Sequence, residues 1–536
     1  MRRRIGIDVG GTNTDAVLLE EGGWGSSDAG PPRSEDRVVA AVKTPTTADV
    51  TTGITRALAD LVRQAPPARH ATAVMIGTTH FTNAVVQRRD LDRVAAIRIG
   101  LPSGASLPPF VDWPEDLARL VRGEVVMLEG GHEFDGRPLV PFDATGMREA
   151  TRRIRAAGIT SVAIASVFSP LNASCEEEAA AILREECPGV AVTLSHRLGR
   201  IGLLERENAM LLNACLIALA RKTTRAFTEA LRASGIAAPL YLTQNDGTVM
   251  LAEVAETYPV YSFASGPTNS MRGAAFLSKR ETVDRHGRSR SVDALVIDVG
   301  GTTTDIGSLR HGFPREANNV VEIGGVRTLF RMPDLLSLGL GGGTLAARDP
   351  LTIGPTSVGY RLTEQALVFG GDVLTVTDVA VAAGLVDLGD RARVAALPAS
   401  LVEHALARIR KMIEEGVDRM KTDASDAPLI AVGGGSFLVP PRLAGVSEVI
   451  NVPHQAVANA VGAAIAQVSG EVDQIFQDLG RDEAIARARR LAEDKAVEAG
   501  ADRATLNVVE VEDLPLAYLP GNSLRTRVRV VGEIAR

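Results

Sequence analysis

The chain has 536 residues, of which 45% are hydrophobic and 23% charged, which predicts a globular protein of two or more domains. The formal net charge of −7, with no basic stripe of interleaved aromatics, argues against a nucleic-acid partner, and the first apolar run is too short for a signal peptide or a membrane helix. Three cysteines without metal-type spacing fit a reduced, cytoplasmic setting with no membrane partner.

The first predicted element is an apolar strand that ends in a glycine turn. Residues 5–15 read Ile-Gly-Ile-Asp-Val-Gly-Gly-Thr-Asn-Thr-Asp. A β-branched run followed by Gly-Gly is typical of a strand entering a tight turn. Without side chains at the point of closest approach, the backbone N–H groups of such a turn can reach a phosphate. Asp8 lies at the end of the strand, well placed to hold a hydrated Mg²⁺.

A polar cluster follows the next predicted strand, residues 73–76. It consists of Thr78, Thr79, His80 and Asn83, and we expect it to face the substrate end of a cleft. His80 is a candidate general acid or base because its unperturbed pKa lies near neutrality. The alternative is a helix cap with a hydrogen-bonded histidine.

The next part of the chain alternates predicted helices and strands, in the order 147–157, 161–166, 176–186 and 190–194. This alternation favours an α/β sheet with helices on its faces. A long amphipathic helix over residues 209–234 is then predicted to bridge two halves of the molecule.

Two short polar segments follow that helix. Gln244, Asn245 and Asp246 end a predicted strand and are candidates for lining the cleft. The second segment, Ser265-Gly-Pro267, is predicted to start a helix. Turn chemistry alone is one explanation of it, and a phosphate or substrate contact is the other.

The opening phrase then recurs. Residues 295–305 read Leu-Val-Ile-Asp-Val-Gly-Gly-Thr-Thr-Thr-Asp, so Asp298 occupies the place of Asp8. One Gly-Gly-Thr is weak evidence, because a tight turn with a threonine cap explains it. Two copies after apolar strands, with a further glycine turn at residues 433–436 after another strand, make coincidence improbable. Their chain order predicts two phosphate turns and an adenosine turn that clamp one nucleotide between two halves.

These residues carry a family resemblance. The motifs resemble the ATP-binding subunit of the hydantoinase, oxoprolinase and acetone carboxylase family, within the actin, sugar-kinase and heat-shock-chaperone ATPase superfamily. The matching segments run in the family's order over about residues 4 to 470, and they are 8–15, 77–84, 213–214, 244–247, 265–267, 298–305, 341–343, 376–378 and 432–435.

The resemblance implies a duplicated actin-like (ribonuclease H-like) α/β fold with two lobes around a nucleotide cleft. We expect a first lobe over residues 1–205, a second lobe over 206–470 and a short C-terminal extension over 471–536. The helix at about 456–468 is expected to pack back on the first lobe.

The activity that the resemblance implies is ATP-dependent opening of a cyclic amide such as a hydantoin, oxoproline or a lactam. ATP would phosphorylate the amide carbonyl oxygen and so activate a poor electrophile. ATP and Mg²⁺ are the implied cofactors, and a second, non-homologous subunit is the implied partner. The alternatives are a ketone carboxylase subunit or small-molecule kinase of the same fold, and a non-catalytic ATP-driven conformational module.

The resemblance also implies roles for individual residues. Asp8 and Asp298 would organise Mg²⁺. Asp15 and Asp305 would orient water or Mg²⁺, with structural capping of the turns as the alternative. His80 would complete the catalytic set, and Thr78, Thr79, Asn83, Asn245 and Ser265 would contact substrate. The nucleotide would lie against Gly10, Gly11, Thr12, Asn13, Thr14, Gly300, Gly301, Thr302, Thr303, Thr304, Gly342, Gly343, Gly433, Gly434, Gly435 and Ser436.

Overall fold

The computed structural model describes residues 2–10, 13–21, 36–45, 50–198, 201–279, 281–283, 289–291, 293–317, 321–348, 351–517 and 522–535. Two predicted phosphate-turn residues, Gly11 and Thr12, lie outside these ranges. None of the helices within these ranges combines the length and apolarity that a membrane crossing requires.

The first elements form one edge of a large sheet. In chain order they are β1 (Arg3–Val9), β2 (Asn13–Glu20), β3 (Arg37–Pro45), α1 (Val50–Gln64), β4 (Ala73–Thr78) and α2 (His80–Gln87). β2 pairs antiparallel with β1, and β4 pairs parallel with it on the other side. α1 contacts β2 and β3. Its buried Ile54, Leu58 and Leu61 recur at helical spacing, which places them on the face toward the core.

A smaller α/β unit follows. Its elements are β5 (Val94–Leu101), α3 (Glu115–Val121), β6 (Arg122–Glu129), α4 (Ala144–Ala156), β7 (Ser161–Ser166), α5 (Ser174–Glu186) and β8 (Ala191–Leu194). The four strands form a parallel sheet in the order β6-β5-β7-β8. The predicted alternation of helices and strands over this part of the chain is therefore confirmed.

A long helix connects the small unit to the large sheet. It is followed by two strands and two helices, so that the elements are α6 (Leu203–Ala233), β9 (Leu240–Thr243), β10 (Val249–Leu251), α7 (Ala252–Thr257) and α8 (Ser265–Ser278). α6 contacts β7 and β8 on one side and α1 and α7 on the other. It therefore connects the small unit to the helices beside the large sheet, and it also contacts β17 (Val326–Thr328) of the second half.

The second half contains its own sheet. The strands of this half are β11 (Glu281–Val283), β12 (Ser289–Ser291), β13 (Ala294–Val299), β14 (Thr304–Arg310), β15 (Phe313–Pro314), β16 (Val321–Ile323), β17 (Val326–Thr328), β18 (Leu335–Leu338), β19 (Thr344–Arg348), β20 (Leu351–Ser357), β21 (Ala427–Val432) and β22 (Val446–Asn451). Of these, β11–β12, β16–β17 and β19–β20 form separate two-stranded pairs outside the sheet. Its helices are α9 (Leu362–Gln365), α10 (Val376–Ala382) and α11 (Ala399–Met420). The main strand order is β15-β14-β13-β21-β22, with β18 also paired to β14.

The chain then returns to the first sheet through α12 (Ala458–Ala464), β23 (Val468–Phe476), α13 (Arg481–Glu498), β24 (Asn507–Pro515) and β25 (Leu524–Gly532). The resulting nine-stranded sheet has the order β24-β25-β23-β10-β9-β4-β1-β2-β3. Its strands come from all three predicted segments, so the first sheet is not confined to residues 1–205. α12 contacts β1, β4 and α8.

Candidate nucleotide site at the two glycine turns

The two copies of the repeated phrase form matched hairpins. Asp8 lies opposite Asp15 in the β1–β2 pair, and Asp298 lies opposite Asp305 in the β13–β14 pair. Each turn is closed in the same way. The Gly10 N–H donates to the Asn13 carbonyl at 3.0 Å, and the Gly300 N–H donates to the Thr303 carbonyl at 2.9 Å. The sequence repeat is therefore a structural repeat as well.

One cavity of about 130 Å³ joins the two hairpins and the third glycine turn. The predicted site residues that line it are Gly10, Asn13, Asp15, Asp298, Gly300, Gly301, Gly433 and Gly434. The structure thus brings together, from three distant parts of the chain, residues that the sequence assigned to one nucleotide.

Asp8 lies next to this cavity and is buried, with 5% of its surface exposed. The Asn459 side-chain amide donates to its Oδ2 at 2.9 Å. Its Oδ1 is buried without a hydrogen-bond partner among the described residues. Burial, with the nearby carboxylates of Asp15 and Asp298, raises the pKa of Asp8 to about 7, against the opposing effect of the Asn269 and Asn459 amides. Such a carboxylate is suited to a cation.

The two carboxylates across the hairpins differ in their partners. The Lys43 ammonium donates to both oxygens of Asp15 at 2.9 Å. Asp305 instead accepts a hydrogen bond from the Ser337 hydroxyl, and burial together with Asp298 raises its pKa to about 6. Burial also raises the pKa of Asp298, although the Ser270 hydroxyl and Lys43 oppose the shift. The first hairpin therefore carries a neutralising cation where the second carries a hydroxyl.

The third turn is packed against the second hairpin. Gly433 has a φ of +90°, and a Cβ there would lie 2.3 Å from Asp298 Oδ1. The Gly435 N–H donates to the Val299 carbonyl at 2.8 Å. Around Gly434, by contrast, a Cβ would meet nothing within 4 Å. Ser436 is buried and does not line the cavity.

The first half has a counterpart of this turn. β4 runs parallel to β1 with Gly77 opposite Asp8, as β21 runs parallel to β13 with Val432 opposite Asp298. A Cβ at Gly77 would lie 2.7 Å from Asp8 Oδ1. The predicted substrate cluster therefore occupies, in the first half, the place that the adenosine-type turn occupies in the second.

Gly342 and Gly343 form backbone hydrogen bonds with the second glycine turn. Their N–H groups donate to the carbonyls of Gly300 and Gly301 at 3.1 and 2.7 Å. Neither glycine lines the cavity. At the turn itself Thr302 and Thr303 are exposed. Thr304 is buried, and its hydroxyl donates a hydrogen bond to the Leu340 carbonyl. In the first turn, Thr14 is buried likewise.

Part of the substrate cluster meets Asp8 at the start of α8. The Ser265 hydroxyl accepts from the Thr78 N–H at 3.1 Å and donates to the Thr78 carbonyl at 3.0 Å. A Cβ at Gly266 would lie 3.3 Å from the Thr79 methyl carbon and 4.0 Å from Asp8 Oδ1. The turn at Thr78, the first residues of α8 and Asp8 therefore lie close together, and Thr78, Ser265 and Asp8 are buried.

His80 directly follows Thr79 in the chain. It is the first residue of α2 and is half-buried, and its N–H donates to the Thr78 hydroxyl at 3.2 Å. Burial lowers the pKa of His80, with Asp90 and Lys222 as the charged groups that act on it. The Asn83 amide donates to the Thr79 hydroxyl at 3.2 Å and steadies the same turn.

Asn245 and Asp246 have structural partners. The Asn245 side chain donates to the Val260 carbonyl at 3.0 Å and accepts from the Ala264 N–H at 2.8 Å, which holds the approach to α8. Asp246 is ion-paired with Arg529 of β25 at 3.2 Å. It contacts the C-terminal strands and is not among the residues that line the cavity at the glycine turns.

Sequence reasoning missed Lys43, Ser270, Gln455 and Asn459, all of which line the cavity. No local pattern distinguishes them. Lys43 reaches Asp15 only because β3 pairs with β2, and Asn459 reaches Asp8 only because α12 returns to β1. Within the described ranges, no group of three or more His, Cys, Asp or Glu side chains is arranged to hold a metal ion.

Comparison with known proteins supplies a family context for this site. Models of the hydantoinase/oxoprolinase N-terminal region and of hydantoinase/oxoprolinase match residues 4–187 and 206–390. An uncharacterized protein of Methanocaldococcus jannaschii is 24% identical over 446 residues, or 78% of this chain and 62% of that protein. The alpha subunit of caprolactamase from Pseudomonas jessenii is 25% identical over 403 residues, or 71% of this chain and 54% of that subunit. The chain thus spans less than two thirds of these relatives' length.

Two solved structures share the fold. The ATP-dependent caprolactamase from Pseudomonas jessenii has a TM-score of 0.76 at 19% identity, covering 99% of this chain and 88% of that chain. Nucleotide-free acetone carboxylase has a TM-score of 0.68 at 17% identity, covering 100% of this chain and 88% of that chain. Together with the matched hairpins, these likenesses confirm the predicted α/β, actin-like architecture.

Proposed function

The chain belongs to the hydantoinase/oxoprolinase family, and we propose that it is the ATP-dependent subunit of a hydrolase that opens a cyclic amide. Hydantoins, oxoproline and lactams are the candidate substrates. The observation that carries this proposal is the single cavity lined by both glycine hairpins and the third turn. Paired turns of this kind suit a polyphosphate. Stabilising a phosphoryl group during its transfer depends on oriented N–H donors more than on a strong nucleophile.

The residues present fit ATP with Mg²⁺. Mg²⁺ is bound in proteins through one or two carboxylates together with substrate phosphates and water. Asp8 offers a buried oxygen without a hydrogen-bond partner in the described part of the chain, and Asp298 lines the cavity next to which Asp8 lies. When bound, Mg²⁺ would neutralise phosphate charge. The glycine at Gly434 leaves open space beside the turn, as the approach of a nucleotide requires.

The proposed chemistry places the phosphoryl group of ATP on the amide carbonyl oxygen. A first water attacks the carbonyl carbon and the ring C–N bond breaks, with a proton passing to the ring nitrogen, which leaves an acyl phosphate. A second water attacks the same carbon and displaces phosphate, which leaves with the original carbonyl oxygen. An amide carbonyl carbon is a poor electrophile. Phosphorylation of its oxygen makes the carbon more electrophilic and provides phosphate as a good leaving group.

The chain's own residues would bind and orient the reactants. The phosphates would lie against Gly10, Gly300 and Gly301, which line the cavity, and the Lys43 ammonium would hold the Asp15 carboxylate at its rim. Thr79 and the first N–H groups of α8 would receive the cyclic amide, because they adjoin Asp8. His80 directly follows Thr79 in the chain, and we expect it to exchange protons with the ring rather than with ATP.

A second subunit is part of the proposal. The caprolactamase relative is named as an alpha subunit, and this chain spans 54% of its length. We therefore expect the water-attack step to require a non-homologous partner, which is to be sought among proteins that copurify with this chain.

The test is ADP release by the chain with its copurified partner, measured against a panel of caprolactam, hydantoin and oxoproline. We expect one ring to stimulate ADP release and to yield its linear product in equal amount. No stimulation by any of the three would contradict the proposal. A stable phosphorylated product would favour the kinase alternative, and a stable carboxylated product would favour the carboxylase alternative. Because the fold is shared with acetone carboxylase, the carboxylase alternative is to be assayed with acetone and bicarbonate.

A further inference from the structure

A second cavity, of about 500 Å³, lies along the C-terminal half of α6. Its opposite wall includes Ser161 and Ala191, the first residues of the parallel strands β7 and β8. It shares no lining residue with the cavity at the glycine turns. It is therefore a separate site, at the amino ends of the strands of the small unit.

Three cationic side chains line this cavity from one helix. Arg221 and Lys222 are adjacent, Arg225 lies about one turn further along α6, and all three are exposed. Residues four apart on a helix share a face, so the two arginines are neighbours. Within the described residues, none of the three side chains makes a hydrogen bond or an ion pair. An anion bound here would not have to displace an existing partner.

Carboxylates line the same cavity. Glu229 lies four residues beyond Arg225 on α6, a rise of about 6 Å along the helix axis. Asp92 is half-buried, and burial raises its pKa, an effect that a neighbouring ammonium group would oppose. The cavity thus offers positive and negative groups separated by several ångströms along one wall.

We propose that this cavity binds a linear amino acid whose carboxylate and ammonium groups stand several bonds apart. The carboxylate would lie against Arg221 and Arg225, and the ammonium against Glu229 or Asp92. Addition of water across the C–N bond of a lactam yields a molecule of this class, so the choice of ligand rests on the proposed function. The site would then sense the product of the reaction.

The fold connects this site to the substrate cluster. α2, which begins at His80, packs against α6. Lys222 acts electrostatically on His80 from the cavity wall. A carboxylate bound against Arg221 and Arg225 would offset part of the charge of Lys222, which lines the same cavity. Product binding would thereby change the electrostatic environment of His80, at the substrate end of the cleft.

Calorimetric titration of the full chain with 6-aminohexanoate tests the proposal. Hexanoate and hexylamine serve as matched probes that each lack one charge. We expect 6-aminohexanoate to bind at least tenfold more tightly than either probe. The double variant Arg221→Gln/Arg225→Gln should weaken its binding at least tenfold, and Arg408→Gln, an exposed arginine on α11, should leave it unchanged.

Absence of binding by the wild-type chain would overturn the proposal, as would equal affinity in the double variant or equal binding of hexanoate. Thr79→Val, in the substrate cluster, should preserve the binding, and its loss there would assign the ligand to the cleft instead. The titration needs no ATP turnover. A failure of cyclic amides to stimulate ADP release would therefore count against the proposed function, whereas only the titration decides whether this cavity binds the linear amino acid.

Discussion

At the scale of single residues, Asp8 is the group on which the candidate site depends most. It is buried between two other carboxylates, and its pKa is raised to about 7 from 3.8. Because the pKa of Asp8 is higher in the folded state than in the unfolded state, protonated Asp8 favours folding at low pH. This contribution to the free energy of unfolding is lost as pH rises from about 4 through 7. A folded protein keeps such a carboxylate for a purpose other than stability.

Asp8→Asn is expected to reduce ATP turnover by about 100-fold or more, because the proposed Mg²⁺ loses an ionised ligand. At pH 8 its melting temperature should equal or exceed that of the wild type, since the variant removes an unfavourable buried charge. Asp387→Asn, at an exposed carboxylate, is the control and should change neither quantity. Normal turnover in Asp8→Asn would contradict the assignment.

Gly433 and Gly434 form a matched pair for a second prediction. Gly433 has a φ of +90°, and a Cβ there would lie 2.3 Å from Asp298 Oδ1, whereas a Cβ at Gly434 would meet nothing within 4 Å. Gly433→Ala should therefore cost about 2 kcal/mol of unfolding free energy, and Gly434→Ala much less. Chemical denaturation of both variants measures the difference. Equal stabilities would show that the turn tolerates a side chain at Gly433.

At the scale of elements, the close packing of α8 on α12 positions Asp8 and Asn459. A Cβ at Gly462 would lie 1.8 Å from the Asn269 carbonyl, and one at Gly273 would lie 1.8 Å from the Ala458 carbonyl. The two helices can approach so closely only because both positions lack side chains. Asn459, which is 451 residues from Asp8 in the chain, is brought to it by this contact.

Gly462→Ala is therefore expected to destabilise the protein by about 3 kcal/mol, because the two helices must move apart. Nucleotide affinity should fall as well, since Asn459 moves with α12. Gly480→Ala, at a position where a Cβ meets nothing within 4 Å, provides the control. A Gly462→Ala variant with wild-type stability and affinity would refute this account of the helix contact.

The C-terminal strands are attached through a cluster of ion pairs. Arg331, Arg527 and Arg529 meet Glu316, Glu471 and Glu510 there. Burial raises the pKa of Glu471 to about 7, although Arg331 opposes the shift. Between pH 4.5 and 7 the folded state consequently holds a proton that the unfolded state has lost, so stability falls as pH rises through this window.

Glu471→Gln should remove that part of the pH dependence, which we expect to be about 2 kcal/mol between pH 4.5 and 7.5. Denaturation curves recorded across this range for wild type and variant give the difference directly. Glu512→Gln, at the more exposed edge of the same cluster, should keep the wild-type slope. Parallel curves for wild type and Glu471→Gln would rule out the predicted contribution.

At the scale of the whole molecule, the duplicated halves were predictable because their signal is local. An apolar strand, a carboxylate and two glycines stand together in the chain at Asp8 and again at Asp298. The sheet membership was not predictable, because β23 and β25 join the first sheet after the chain has built the second half. Lys43 and Asn459 were not predictable for the same reason. Lys43 is placed at the cavity by the pairing of β3 with β2, and Asn459 by the packing of α12 on β1.

The fate of the carbonyl oxygen tests the central claim most directly. The cyclic amide that best stimulates ADP release would be prepared with ¹⁸O at its carbonyl and turned over in unlabelled water with the partner present. The account predicts that the released phosphate carries one ¹⁸O for each ring opened, because phosphate leaves with the oxygen that it joined. Unlabelled phosphate, with all of the ¹⁸O retained in the carboxylate of the linear product, would contradict it.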